Sequence, residues 1–285
     1  MNLTTSLAKA AVLADALPYI RRFSGKVVVI KYGGAAMTDP GLGNLFAQDV
    51  VLMRMVGIRP VVVHGGGPQI GQLMQRLGKE PEFLDGLRVT DADTLDIARM
   101  VLVGKVNRDI VASINVHGAL AVGLSGEDAG LIMASARSPE LGFVGDVQGV
   151  NPGLLQRLLA EELIPVLATI GSDAEGQAYN INADTVAGAV AEALGAEKLV
   201  YLTDVVGLLS EVGNPFSLIT RTSADDLESL LATGRIKGGM IPKILSCVRA
   251  VRNGVGHAHI LDGRVPHALL LEVFTSEGVG TMVTP

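Results

Sequence analysis

Short, uninterrupted runs of β-branched and other apolar residues recur along the chain, and they limit its possible folds more than any other feature. The runs cover residues 27–30, 60–64, 120–124, 164–170, 199–203 and 258–261. Segments with helical spacing separate the runs. Continuous apolar strands joined by helices are typical of a parallel sheet that is covered on both faces. The pattern therefore predicts a doubly wound α/β fold, with ligands bound beyond the carboxyl ends of the strands.

Composition and charge exclude several other classes of protein. The 285 residues leave room for about two domains or one large α/β unit. The net charge of −6 is spread without basic blocks, which argues against nucleic acid or an anionic membrane surface as a partner. No apolar run approaches the roughly 18 to 20 residues of a membrane-spanning helix. Because the single cysteine, Cys247, cannot form an intramolecular disulfide, we expect a reducing, cytoplasmic location.

The first 23 residues have the spacing of an amphipathic helix ahead of the first strand. Its apolar stripe consists of Leu3, Leu7, Ala10, Ala14 and Leu17. Pro18 predicts a kink before residues 19–23. The stripe either packs on its own domain or docks onto a second subunit, and the pattern leaves both open.

Farther along, a β-rich stretch follows the helix predicted at 185–194, which places a domain junction near residue 195. Ser223 predicts the start of another helix.

Two glycine-rich turns follow apolar strands and suit the binding of phosphate or carboxylate. Lys31 ends the first strand just before Gly33 and Gly34, so an ammonium group and closely approaching amides would meet at one point. Residues 65–67 are glycines that end the second strand and open a helix, whose first amides favour an anion. Each has a structural alternative, since a strand-end lysine is often solvated and a glycine turn is often only a turn. The second also loosely matches a dinucleotide fingerprint, which keeps a dehydrogenase as an alternative.

Two further segments place charged side chains beside predicted helix starts. Asp184 follows Asn180 and Asn182 at the mouth of a helix, where it is either a functional acid or only a helix cap. Residues 237–243 carry another glycine pair with a lysine at each end, which is either a phosphate site or an exposed basic turn. The signatures of P-loop enzymes, protein kinases, zinc proteases and the nucleophile elbow are absent from the sequence. The five histidines show no ligand spacing, so we expect no metal held by the protein.

In this order, and together with residues 83–90 (FLDGLRVT), these four segments resemble the N-acetylglutamate kinases of the amino acid kinase family. The resemblance extends from residue 17 to residue 282. It implies an α/β fold, a three-layer αβα sandwich with a mainly parallel central sheet and a kinked N-terminal helix. It also implies three parts: the helix over 1–23, an acetylglutamate-binding domain over 24–195, and a domain over 196–285 that binds ATP and arginine. Alternatives are another carboxylate or carbamate kinase and a non-catalytic arginine sensor.

The implied reaction moves the γ-phosphoryl group of ATP, which brings Mg²⁺ with it, to the side-chain carboxylate of N-acetyl-L-glutamate. By the same resemblance, Lys31 and Lys243 would hold the transferring group from the acceptor and donor sides, and Asp184 would fix both ammonium groups. The residues implied to bind N-acetylglutamate are Gly66, Gly67, Arg88 and Asn180. The residues implied to bind phosphate and ATP are Gly33, Gly34, Thr203, Asp204, Gly238 and Gly239.

Family members with a kinked helix ahead of the first strand resemble the type that is inhibited by L-arginine. In that type such helices join three dimers into a homohexamer. Residues 17–23 resemble the corresponding segment, so the same assembly and inhibition are implied here. The residues implied for the arginine site are Tyr19, Lys198, His259, Glu272 and Gly278. Glu272 would bind a cationic end of arginine, unless it is a solvated acid.

Overall fold

A computed structural model of the chain describes residues 3–211, 213–236, 239–275 and 279–285. The α-helices in these ranges are α1 Leu3–Phe23, α2 Pro40–Met55, α3 Gly67–Arg76, α4 Ala92–Arg99, α5 Asn107–Asn115, α6 Gly153–Ala160, α7 Ala183–Leu194, α8 Ala224–Ala232, α9 Met240–Arg252 and α10 Ala268–Phe274. A π-helix, Met100–Val106, joins α4 to α5. The strands are β1 Val27–Tyr32, β2 Arg59–His64, β3 Phe83–Leu84, β4 Leu87–Arg88, β5 Ala121–Ser125, β6 Ile132–Ala136, β7 Val144–Val150, β8 Ile164–Ala168, β9 Ile170–Ser172, β10 Ala178–Ile181, β11 Lys198–Thr203, β12 Arg221–Ser223, β13 His257–Asp262 and β14 Thr281–Thr284.

The main sheet has the strand order β12-β14-β13-β11-β1-β2-β8-β5. Neighbours from β5 to β13 are parallel, and only the pairing of β13 with β14 is antiparallel. The predicted parallel sheet is therefore confirmed. Strands β6, β7, β9 and β10 close into a small barrel, and β3 and β4 form a hairpin. Both smaller units lie beside the carboxyl ends of β1 and β2, where a ligand is expected.

Helices cover both faces of the main sheet, which confirms the three-layer architecture. Val28 and Ile30 of β1 are fully buried in one core with residues of α2, α5 and α10. Val29, the residue between them, is fully buried in a second core with residues of α7, α8 and α9. Successive side chains of a strand point to opposite faces, so a strand between two helical layers must be apolar throughout. This is the physical origin of the uninterrupted apolar runs.

One predicted strand is wrong in its extent. Residues 164–170 form two strands, because Ala168 still pairs with His64 in the main sheet whereas Ile170 pairs with Asn180 in the small barrel. Thr169 lies between the two strands and is buried. Ile170 continues the apolar run directly after the β-branched Thr169, so hydrophobicity gave no sign of the division.

Helix α1 runs as one element through Pro18 to Phe23. Phe23 is buried, but Leu7, Leu13 and Leu17 are 62%, 72% and 54% exposed. Leu7 and Leu17 belong to the predicted apolar stripe, so the first of its two alternatives, packing on its own domain, is wrong for these two residues. The kink at Pro18 stays a prediction, as does docking onto a second subunit.

Among the described residues, no helix combines the length and apolar character needed to cross a bilayer.

The segment after residue 195 continues the main sheet rather than starting another. Strand β11 lies beside β1, with Lys31 paired to Tyr201. The proposed division into 24–195 and 196–285 stays a prediction. The predicted helix start at Ser223 is confirmed: its hydroxyl accepts a hydrogen bond from the amide of Asp226, and the Asp226 side chain completes a capping box.

Candidate active site

Lys31 lies near the carboxyl end of β1 and is only 9% exposed. Its side chain folds over the turn that follows, so a Cβ at Gly33 would be 2.5 Å from the ammonium nitrogen Nζ. Only glycine leaves room for the ammonium group at this place. The alternative that Lys31 is a solvated strand-end lysine is therefore wrong.

Asp184 joins Lys31 to Lys243. Its Oδ1 lies 3.0 Å from Lys31 Nζ, and its Oδ2 accepts a hydrogen bond of 2.6 Å from Lys243 Nζ. Asn182, not Asp184, caps α7, since its Oδ1 accepts from the amides of Asp184 and Thr185. The capping alternative for Asp184 is therefore wrong, and its carboxylate is free to bridge the two lysines.

The carboxyl group of Asp184 is 5% exposed, and this burial by itself would raise its pKa. The charges of Lys31 and Lys243 outweigh burial and hold the pKa of Asp184 below its ordinary value. Asp184 is therefore an anion at neutral pH. It is suited to hold two cations in place and unsuited to take up a proton.

The turn after β2 brings the start of α3 to the same point. The amide of Gly65 donates to the carbonyl of Tyr32, at the end of neighbouring β1, and α3 begins at Gly67. The first amides of a helix have no partner within the helix and attract an anion. The predicted helix opening is confirmed.

Arg88 projects from the hairpin of β3 and β4 toward this turn. Its Nη2 donates to the carbonyl of Gly67 at 2.9 Å, and its guanidinium carbon lies 4.9 Å from the centre of the Phe83 ring. Asn180 contacts the segment that follows this hairpin, since its Nδ2 donates to the hydroxyl of Thr90 at 3.3 Å. Burial lowers the pKa of Arg88, but a guanidinium group remains charged at neutral pH.

A cavity of about 260 Å³ lies between these elements. The predicted residues that line it are Lys31, Gly33, Gly34, Gly66, Gly67, Arg88 and Asn180. Residues that line it without having been predicted include Met37, Phe83, Leu102 and Thr169. Their apolar or neutral character gave no signal of a binding role in the sequence. The cavity has a cationic end at Lys31 and a second cationic group at Arg88, so it suits a small dianion.

The residues predicted to bind phosphate and ATP are only partly brought together. Thr203 ends β11 and Asp204 follows it, and a Cβ added at Gly34 would overlap the Asp204 carboxylate. The Thr203 hydroxyl is turned inward, where it donates to the carbonyls of Val205 and Leu261. Gly239 precedes α9, which carries Lys243. Gly238 lies outside the described residues, and the ATP-binding roles of this set stay predictions.

A second cavity, of about 340 Å³, lies between the end of α1 and the strands β11 and β14. Tyr19, Lys198 and Glu272 line it. Glu272 Oε1 lies 3.0 Å from Lys198 Nζ and 2.7 Å from Nδ1 of the fully buried His259. Four of the five residues predicted for an arginine site therefore lie together, and the fifth, Gly278, lies outside the described residues.

Glu272 is only 9% exposed, so its alternative as a solvated acid is wrong. Burial opposes ionisation, but His259 and Lys198 lower the pKa of Glu272 to about 2. The carboxylate is therefore ionised throughout the neutral range. Its single negative charge sits at the inner wall of the cavity.

Comparisons with known proteins cover nearly the whole chain. The amino acid kinase family matches residues 26–262. The acetylglutamate kinase of Symbiobacterium thermophilum is 58% identical over 287 aligned residues, which cover 98% of each chain. The acetylglutamate kinase of Acidothermus cellulolyticus is 55% identical. That match covers 100% of this chain and 99% of the relative.

Solved structures show the same fold. The N-acetylglutamate synthase from Neisseria gonorrhoeae, complexed with coenzyme A and N-acetyl-glutamate, has a TM-score of 0.85 at 28% identity. The match covers 97% of this chain but only 63% of the synthase chain. The same synthase complexed with coenzyme A and L-arginine has a TM-score of 0.79 at 26% identity, covering 96% of this chain and 65% of the synthase. Carbamate kinase from Giardia lamblia bound to AMP-PNP is similar in fold alone, with a TM-score of 0.70 at 16% identity, covering 91% of this chain and 98% of that one.

Proposed function

The chain belongs to the acetylglutamate kinases of the amino acid kinase family, and on that premise we propose how its cleft phosphorylates N-acetyl-L-glutamate. Enzymes of this kind act on a carboxylate acceptor in arginine biosynthesis. The γ-phosphoryl group of ATP passes to the side-chain carboxylate, giving N-acetyl-L-glutamyl 5-phosphate and ADP. One observation carries the proposal: a single buried carboxylate holds the ammonium groups of Lys31 and Lys243, at 3.0 and 2.6 Å, beside the cleft.

The physical obstacle to this reaction is the approach of two anions. Two unit charges about 4 Å apart repel by roughly 4 kcal/mol at an effective dielectric constant near 20, which corresponds to about a thousandfold in rate. Lys31 on the acceptor side and Lys243 on the donor side neutralise that charge. Asp184 keeps both ammonium groups in place without taking part in proton transfer.

Bond changes are confined to the phosphoryl group. A side-chain oxygen of N-acetylglutamate forms a bond to the γ-phosphorus, and the bond from the γ-phosphorus to the bridging oxygen breaks, leaving the electron pair on ADP. The acceptor carboxylate is already ionised at neutral pH, so no general base is needed. Positioning and charge neutralisation therefore account for catalysis.

The remaining predicted residues receive roles by position. The helix amides at Gly66 and Gly67 lie where the reacting oxygens would meet the cleft, and Arg88 lies where a planar fork could bind the α-carboxylate. MgATP is the nucleotide substrate, with Mg²⁺ bound mainly by phosphates and water. Within the described residues, no group of three or more His, Cys, Asp or Glu side chains is placed to hold a metal ion.

Direct detection of the acyl phosphate tests this proposal. The purified protein is incubated with MgATP and N-acetylglutamate, ADP release is followed by a coupled assay, and hydroxylamine traps the product as a hydroxamate. Aspartate, glutamate and carbamate serve as competing acceptors. Equal or higher activity with one of these three would reject N-acetylglutamate as the substrate.

Replacement of Arg88 by alanine should act on substrate binding. We expect the KM for N-acetylglutamate to rise roughly 100-fold, because hydrogen bonds to a charged group are worth up to about 3 kcal/mol, while kcat changes little. Steady-state kinetics with varied N-acetylglutamate measure the effect. Arg76→Ala, at an exposed position of α3, is the matched control and should leave KM unchanged. An unchanged KM in Arg88→Ala would remove Arg88 from the substrate site.

We also propose that L-arginine inhibits the enzyme by binding in the second cavity, and that the enzyme is a hexamer joined through α1. The Glu272 carboxylate on the inner wall offers a partner for a guanidinium or α-ammonium group, and Tyr19 of α1 lines the same cavity. The exposed Leu7, Leu13 and Leu17 give α1 an apolar face for another copy. The similar synthase that was solved with L-arginine lends further support.

Deletion of residues 1–21 should abolish arginine inhibition and reduce the particle to a dimer, because it removes both Tyr19 and the exposed apolar face. Inhibition curves and light scattering after gel filtration measure the two effects. Glu272→Gln separates them, since it should lose inhibition while keeping the size of the particle. Arginine inhibition that persists in the truncated form would contradict the proposed site.

A further inference from the structure

His64, the last residue of β2, is completely buried directly beneath the glycine turn. Its Nδ1 lies 2.9 Å from the carbonyl oxygen of Gly65, and its Nε2 lies 3.1 Å from Nδ2 of Asn107. Neither residue was singled out by the sequence for a role in the reaction. A histidine followed by glycines gives no indication of where its ring points.

The orientation of the Asn107 side chain is fixed independently of His64. Its Nδ2 donates to the carbonyl of Val166 at 2.8 Å, and its Oδ1 accepts a hydrogen bond from the guanidinium group of Arg108. The nitrogen that faces His64 is therefore a donor. Nε2 of His64 must accept, so the ring hydrogen is on Nδ1 and is donated to the carbonyl of Gly65.

Burial lowers the pKa of His64 to about 4, and the charge of Arg108 acts in the same direction. The ring is therefore neutral at neutral pH, and its tautomer is set by its two neighbours.

The hydrogen bond to Gly65 has a geometric consequence for Gly66. A trans peptide unit is planar, and its C=O and N–H groups point in opposite directions. The buried ring of His64 holds the carbonyl of Gly65. The N–H of Gly66 therefore points away from that ring, toward the cavity that both glycines line.

A peptide unit between two glycines needs such a constraint. Glycine adopts positive and negative φ almost equally well, so this unit could reverse its direction at little cost. A side chain at Gly66 would have to displace Leu102 of the π-helix, since a Cβ there would lie 2.6 Å from its Cδ2. His64 supplies such a constraint through its contact with the carbonyl of Gly65.

From this geometry we infer that His64 is a positioning residue, which holds the Gly65–Gly66 peptide so that the Gly66 amide donates to the reacting oxygens. The inference rests on the proposed kinase function, since it deepens the role of the glycine turn in that reaction. Asn107 selects the tautomer that makes His64 a donor at Nδ1.

Two substitutions distinguish positioning from simple packing. His64→Asn can place its amide nitrogen near the position of Nδ1 and keep a donor for Gly65, whereas the longer side chain in His64→Gln reaches the position of Nε2 and loses that donor. We expect His64→Gln to lower kcat about 10- to 100-fold, given that loss of one oxyanion donor costs about 100- to 1,000-fold. His64→Asn should retain kcat within about threefold, and the KM for MgATP should be unchanged in both.

Ile114→Val is the matched control for stability. Ile114 is fully buried in α5, and the loss of one methylene there should lower the melting temperature without changing kcat. If kcat falls equally in His64→Asn and His64→Gln, or if folded His64→Gln keeps the wild-type kcat, the positioning role is refuted.

A measurement on the unaltered protein tests the hydrogen bond on which the inference depends, even if both variants misfold. Nitrogen NMR of the protein labelled with ¹⁵N-histidine reports which ring nitrogen of His64 carries hydrogen. We expect a neutral ring protonated at Nδ1 at neutral pH, and protonation at Nε2 would overturn the inference. Since no substrate is needed, this result is independent of whether wild-type enzyme forms an acyl phosphate from N-acetylglutamate.

Discussion

Lys31→Ala should lower the kcat for phosphorylation of N-acetylglutamate by roughly a thousandfold, with much smaller changes in the KM of either substrate. The ammonium group of Lys31 lies at the cleft end of β1, where it would meet the charge of the transferring phosphoryl group. Its loss also lowers the net charge of the cluster that Lys31 forms with Asp184 and Lys243 from +1 to 0, which leaves less positive charge beside that group. Lys243→Ala should act in the same way from the donor side, since it removes the other ammonium group.

Steady-state kinetics with both substrates measure this effect. Lys26→Ala is the matched control, because Lys26 immediately precedes β1, at the opposite end from Lys31. Its side chain is 54% exposed and pairs only loosely with Glu197, at 3.6 Å. The control should keep the wild-type kcat. If Lys31→Ala instead kept kcat and only weakened binding, Lys31 would not act on the transferring group.

Asp184→Asn should affect both stability and catalysis. Removing one partner of a buried ion pair leaves an uncompensated charge, and here two ammonium groups would lose their shared anion. We expect the free energy of unfolding to fall by about 3 to 5 kcal/mol. We expect kcat to fall by about 100-fold or more, because neither lysine would be held in place.

Urea unfolding at several pH values checks the stability effect. The pKa of Asp184 is lowered in the folded protein, so its contribution to stability is complete above the pKa of the unfolded chain. That contribution is lost as the pH falls through the lower, folded pKa. The difference in stability between wild type and Asp184→Asn should therefore shrink in acid.

Asp91→Asn is the control for this substitution. Asp91 pairs with Lys79 at 2.6 Å, but its side chain is 60% exposed. An exposed pair is worth less than about 1 kcal/mol, and asparagine preserves the cap that Asp91 provides for α4. If Asp184→Asn cost no more than Asp91→Asn, the bridging carboxylate would not be important for the fold.

Local features of the fold were predictable from the sequence, and the long-range contacts of the site were not. The apolar runs reveal β1 and β2 because burial on both faces leaves a continuous signature. The glycines after each strand mark the rim for the same kind of local reason. The division at Thr169 left no trace, because Thr169 is β-branched and lies between the apolar residues Ala168 and Ile170.

The contact between Lys31, Asp184 and Lys243 spans more than 200 positions, and spacing alone cannot show that the starts of α7 and α9 meet beside β1. Only the resemblance to a family linked these residues in advance. His64 and Asn107 are harder still to find, because their contacts depend on the orientation of single side chains within a core.

The π-helix Met100–Val106 makes this part of the chain sensitive to its length. It places Leu102 beside Gly66 and brings the side chain of Asn107 into contact with His64. A π-helix has one more residue in each hydrogen-bonded turn than an α-helix, so loss of one residue would return the segment to ordinary α-helical winding and change which side chain lies against Gly66. Insertions and deletions between α4 and α5 should therefore be selected against during evolution more strongly than substitutions there, although the segment contains none of the charged groups at the reaction centre.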